Sequence, residues 1–191
     1  EQAFSDALGL LPSNEWLTRA VLYHKVSVSF QARLLLAEAE AASDRALAVL
    51  GQPTTDWPLP WRHAWLEHQL SRMDTLYYQG DLDQLAGLVA VITPTLDTVG
   101  TPAHRADFVK SLVELAMRRE HFTLSADTVA KCETLLAAAQ ETDDLAAIAW
   151  AQFGLGFSLL WSGQTAKAAA PLLVGLKQAE EGGLAHTEVL C

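Results

Sequence analysis

At 191 residues the chain has the length of one domain on the usual prior of roughly 100–200 residues each. Thirteen Lys and Arg against 23 Asp and Glu leave a formal charge of −10, so no clustered basic face exists for a nucleic-acid backbone. Half the residues are hydrophobic, which excludes disorder, and Ala and Leu supply a third of the chain against only 11 Gly and 7 Pro. That is too little turn chemistry for a sandwich or barrel, and it predicts an all-α chain.

In chain order, Pro12-Ser13-Asn14 carries the first helix-start signal. A helix is expected over 14–37, turning at Glu38-Ala39-Glu40 into a second over 40–50. Val26-Ser27-Val28-Ser29-Phe30 alternates like a strand, but it lies inside the first helical run without a partner strand and reads as helix. The break from Gly51 to Pro60 contains Trp57-Pro58-Leu59-Pro60-Trp61, a stiff linker whose indoles, with Trp65, are expected to plug the junction between two helix pairs. A second pair follows, 61–79 with 82–97, around Gln79-Gly80-Asp81. Thr101-Pro102 combines a capping hydroxyl with Pro at the first helical position and opens a third pair, 103–120 with 124–141. Its turn is Glu120-His121-Phe122. Thr142-Asp143-Asp144 opens the fourth pair, 145–162 with 165–181, around Ser162-Gly163-Gln164. Pro94 and Pro171 fall inside second helices and predict a kink or a shifted start. The segment Ala185-His186-Thr187-Glu188-Val189-Leu190-Cys191 reads as the opening of a further helix, as though 1–191 were one domain cut from a longer protein.

The turn centres Ala39, Gly80, His121 and Gly163 are 41, 41 and 42 residues apart. A helical hairpin cannot bury its apolar face alone, so a row of hairpins at one period must stack, and an α-solenoid is expected over a closed four-helix bundle. In the last hairpin Leu155-Gly156, Leu159, Gly163, Ala168 and Leu172 match the small and large positions of a tetratricopeptide repeat. Tyr77-Tyr78-Gln79-Gly80-Asp81-Leu82 looks like the turn of the same motif. The chain therefore resembles tetratricopeptide (TPR) repeats, closely over 145–181 and only in apolar pattern elsewhere, with a period longer than the usual 34. Ala-, Leu- and Trp-rich arrays of this period are similar to the sensor regions of large bacterial regulators of the LuxR or AfsR type, which carry an ATP-binding domain. The resemblance implies a right-handed solenoid of about four hairpins acting as a protein-interaction or ligand-sensing scaffold. It equally allows a spacer between ATPase and DNA-binding or cyclase domains that binds nothing.

Signals for chemistry are weak. Gly154-Leu155-Gly156 lacks the third Gly of a dinucleotide loop, and Leu159 stands in its place. His63 and Glu67 share a helix face but have no third metal ligand, since His68 is rotated away. Asp81 and Asp83 fit a solvated helix start. Cys132 is expected to be buried rather than reactive. No nucleophile–base set assembles, so no enzyme and no cofactor is expected. With two cysteines, no secretory leader and no apolar run beyond stretches such as Leu34–Ala37 or Ala168–Val174, the setting expected is cytoplasmic, away from membranes.

In such repeats the first helix of each pair lines the concave groove. The turn register then assigns Glu67, Leu70, Asp74, Tyr77 and Tyr78 from the second pair. It assigns Asp107, Lys110, Glu114, Met117 and Arg118 from the third, and Trp150, Phe153, Phe157 and Trp161 from the fourth. Four carboxylates and two cations suit a basic or mixed-charge peptide, protein domain or small effector with an apolar anchor. The aromatic stripe of the fourth pair, with Ile148, Leu155 and Leu159 on the other side, reads first as core and second as groove. The apolar fourth pair also predicts self-association through the C-terminal repeat.

Overall fold

A computed structural model describes residues 2–12, 14–54, 56–142 and 144–191, without the side chains of Gln2, Ser5 and His186. The start signals placed on Ser13 and Asp143, Thr55 in the Trp linker, and the His186 side chain lie outside the described residues. Ten α-helices and no strand form among the described residues: α1 (Gln2–Leu10), α2 (Trp16–Gln31), α3 (Leu36–Leu50), α4 (Leu59–Gln79) and α5 (Leu82–Val99), then α6 (Pro102–Arg119), α7 (Ala126–Gln140), α8 (Leu145–Trp161), α9 (Thr165–Gly182) and α10 (Ala185–Leu190).

The chain divides into two compact units, Glu1–Gly100 and Thr101–Cys191. In the first, α1 packs on α2, α2 on α3, and α4 rests on both α2 and α3 while pairing with α5. Trp65, Leu66, Met73, Leu76, Leu85 and Ile92 are fully buried at its centre, with Ala20, Ala39 and Ala46 between the helices. The Gln31 amide of α2 donates to the Ser71 carbonyl at 2.7 Å and the Thr75 hydroxyl at 2.6 Å, tying α2 to α4. In the second unit α6 pairs with α7, α7 lies against α8, α8 pairs with α9, and α10 packs on α9 and α8. Its core gathers Val113, Met117, Leu124, Cys132, Leu135, Ala139 and Ala151.

The helix starts follow from their caps. Asp81 accepts from the Gln84 N–H, Ser125 from Thr128, and Asp144 from Ala146 and Ala147, each satisfying donors that a helix leaves open. Thr101 accepts from the His104 N–H while His104 Nδ1 accepts from the Thr101 N–H, a reciprocal box ahead of Pro102. The first helices of the last three pairs end at Gln79, Arg119 and Trp161, where the turn signals place them, and Val26 to Phe30 is helical. The indoles of the Trp segment pack at the junction as expected, although Leu59 to Trp61 form the first turn of α4 rather than extended linker. Trp61 donates to the Leu50 carbonyl at 3.1 Å, meets Trp57 and Trp16 edge-on, and Trp65 is fully buried.

Two expectations are corrected. The first turn is not at Ala39, which lies buried inside α3, but at residues 32–35, where Leu34 takes a left-handed φ of 56°. No Gly or Asn marks that turn, so the Leu34–Ala37 run conceals it, and the first interval is longer than 41 residues. Pro94 and Pro171 do not shift a helix start, because each sits within one continuous helix. The carbonyls that lose an i−4 bond belong to Ala90 and Lys167, both exposed residues that water can satisfy.

Candidate functional site

Helix α8 has no charged residue along its whole length, LAAIAWAQFGLGFSLLW. Its buried positions are small or medium: Ala149, Ala151, Gly156, Ser158 and Leu159. Close packing against α9 explains the choice. A Cβ at Gly156 would stand 2.5 Å from Leu172 Cγ, and one at Gly175 would stand 3.2 Å from the Ala149 carbonyl oxygen. With small residues at the helix contacts, the large rings are displaced outward. Trp150, Phe153 and Phe157 are half-buried and Trp161 is 53% exposed. The stripe is therefore only partly the core that its apolarity predicts: Phe157 packs against the core beside Ile148 and Leu155, while Trp161 stands largely in solvent.

The four rings form a ladder with successive centroids 5.4, 5.7 and 5.8 Å apart, each pair tilted by 41–46°. Phe122, from the turn between α6 and α7, meets Phe157 edge-on at 6.3 Å, and the Arg118 guanidinium lies 5.9 Å from the Phe122 ring centre. This turn is unusual. Gly80 and Gly163 hold positive φ at the matching turns, whereas here His121 (51°) and Phe122 (59°) both do. A left-handed conformation costs an L-residue roughly 1–2 kcal/mol, and contacts of the Phe122 ring offset that cost.

Among the assigned groove residues, Leu70 and Met117 are buried in the two cores and offer no surface to a ligand. Glu67 is exposed, Asp74 and Tyr77 are half-buried, and Tyr78 is exposed with its ring edge-on to Tyr77 at 5.4 Å. On α6, Asp107 is exposed while Lys110, Glu114 and Arg118 are half-buried, at spacings of three and four that place them along one helix face. The structure thus brings the α8 rings together and joins Arg118 to them through Phe122. Phe122 is the member that sequence reasoning missed. Its signal was His121-Phe122 standing where the other turns carry Gly.

His63 and Cys132 are engaged within the fold. The His63 ring is 2.9 Å from the Val99 carbonyl oxygen, so its nitrogen serves a backbone partner. Cys132 is fully buried, and burial raises its thiol pKa while the Ser158 hydroxyl partly opposes the shift. No group of three or more His, Cys, Asp or Glu able to hold a metal occurs among the described residues. No helix among them is long and apolar enough to cross a membrane. A shallow concavity of about 520 Å³ in the first unit is lined by Leu11, Trp16, Arg19, Ala48 and Val49. No known protein family, curated protein or solved structure matches the chain.

Proposed function

We propose that this chain is a non-enzymatic, tetratricopeptide-like scaffold, a right-handed solenoid of about four hairpins within a bacterial transcriptional or signalling regulator. In this reading it binds a peptide, protein domain or small effector through the aromatic face of α8. The observation that carries the reading is the four-ring ladder, half open to solvent on a helix whose small residues face its neighbours. Apolar rings with one face exposed gain free energy when a ligand covers them, and aromatic anchors dominate binding energetics. The α6 face beside Phe122 carries two acids and two bases, which suits a mixed-charge ligand with an apolar anchor. Left-handed residues at 80, 121 and 163, and the packing of consecutive helices within each unit, support the repeat reading.

A random peptide library displayed on phage tests the binding reading. Trp161→Ala, at the exposed end of the ladder, is expected to weaken the selected peptides at least tenfold while leaving helicity intact. Selection of no peptide that depends on the ladder would overturn it. The spacer reading draws on the interior placement of Leu70 and Met117, and it predicts that empty result.

A further inference from the structure

In the first unit, two histidines meet where α2 crosses α4. The His24 and His68 rings are edge-on, with centroids 4.9 Å apart and planes at 77°. His68 is 1% exposed, and its Nε2 stands 2.9 Å from the Ala20 carbonyl oxygen. Ala20 and His24 are one helical turn apart, so His68 grips a single turn of α2 at two points. A carbonyl oxygen only accepts, so Nε2 must carry the hydrogen and Nδ1 the lone pair. That Nδ1 is buried without a hydrogen-bond partner, and so is Nδ1 of His24.

We propose that the His24–His68 pair is an acid-sensitive latch, which holds α2 against α4 while both rings are neutral and releases them when a ring takes up a proton. A second proton on His68 has to go to Nδ1, away from water, with no acceptor, and beside another imidazole. The proton therefore costs the packed state more than the open one. Burial lowers the pKa of both rings, that of His68 to about 4, with His24 a further depressing influence on His68. The charges acting on the pair are Glu67 of α4, which favours protonation of both rings, and Lys25 of α2, which opposes it at His24. Glu67 is exposed and does not reverse either shift. Asp6 of α1, Glu38, Glu40, Asp44 and Arg45 of α3, and Asp83 and Asp97 of α5 are not among the charges that shift either ring.

The sign follows from linkage. Each folded pKa lies below the unfolded value near 6.5, so the stabilisation is complete above that pH and is lost as pH falls from about 6.5 toward 4. The second unit contains no such pair among its described residues: His104 belongs to the α6 cap and His121 is exposed in a turn.

Hydrogen exchange of the full chain, followed by peptide and corrected for intrinsic rates, tests the latch. Protection of α2 and α4 is expected to fall about tenfold between pH 6.5 and 5, with α8 and α9 unchanged over that range. His68→Gln, which keeps a donor for the Ala20 carbonyl, should make the fall shallower, and adding His24→Phe should abolish it. Ring-carbon chemical shifts of the wild type provide a reading independent of whether the variants fold. Equal loss of protection in both units, an unchanged slope in the variants, or both rings titrating near 6.5 would overturn the proposal.

Discussion

At residue scale, the same left-handed backbone supports opposite predictions at neighbouring positions. His121 is exposed in its turn, so His121→Gly removes steric cost and loses little packing. A thermal melt is expected to show neutral behaviour or a gain of up to about 1 kcal/mol, the glycine's extra unfolded-state freedom offsetting part of the relief. Phe122→Ala leaves the strained backbone in place while removing the contacts to Phe157 and Arg118, and should cost about 1–2 kcal/mol. Gly156 is more sensitive still. Even a methyl group would meet Leu172 Cγ at 2.5 Å, so Gly156→Leu must force α8 and α9 apart, at a cost on the order of 1–3 kcal/mol. A wild-type melting temperature for Gly156→Leu would refute the close helix contact.

At element scale, the end of α6 and the start of α7 share one carboxylate. Glu120 accepts from the Ser125 N–H at 2.8 Å, the Ser125 hydroxyl at 2.7 Å and the Thr128 hydroxyl at 2.7 Å. These bonds, led by the Ser125 N–H, hold its pKa below the usual value. A depressed carboxylate stabilises above its unfolded pKa and loses that contribution as pH falls through the folded one. Glu120→Gln is therefore expected to be less stable than wild type at pH 7, by under about 1 kcal/mol because the Glu120 carboxylate itself is open to water. Chemical denaturation across pH should show the gap closing once the wild-type carboxyl is protonated; a gap independent of pH would show that charge contributes nothing there. The element scale also explains why caps were readable. Asp81 and Thr101 act through bonds three residues long, which need no tertiary partner. Leu34 illustrates the reverse case: its turn follows from how α3 packs on α2, and no local preference of leucine announces it.

At the scale of the whole molecule, the second unit leaves Leu160, Trp161, Leu173 and Val174 between 43% and 66% exposed, while α10 covers part of α8 and α9. Apolar surface that remains open favours association. Sedimentation across a concentration series is expected to show self-association that Leu173→Glu reduces; a particle that stays monomeric at the highest concentration would show that the α10 cover suffices. The sequence alone determined the helical class, the boundaries of α4 to α9 to within about two residues, the caps at Asp81, Thr101 and Asp144 and the aromatic stripe of α8, because propensity, capping and periodicity act over one or two turns. Only the tertiary structure decided which side of α8 is buried, since that helix is apolar almost all round and its pattern names no preferred face. The same holds for Leu70 and Met117, drawn into cores by neighbours distant in sequence, and for His24 and His68, whose meeting depends on where α2 crosses α4. Which apolar or polar group is covered depends on the helix packed against it, and that information lies in the partner rather than in the local pattern.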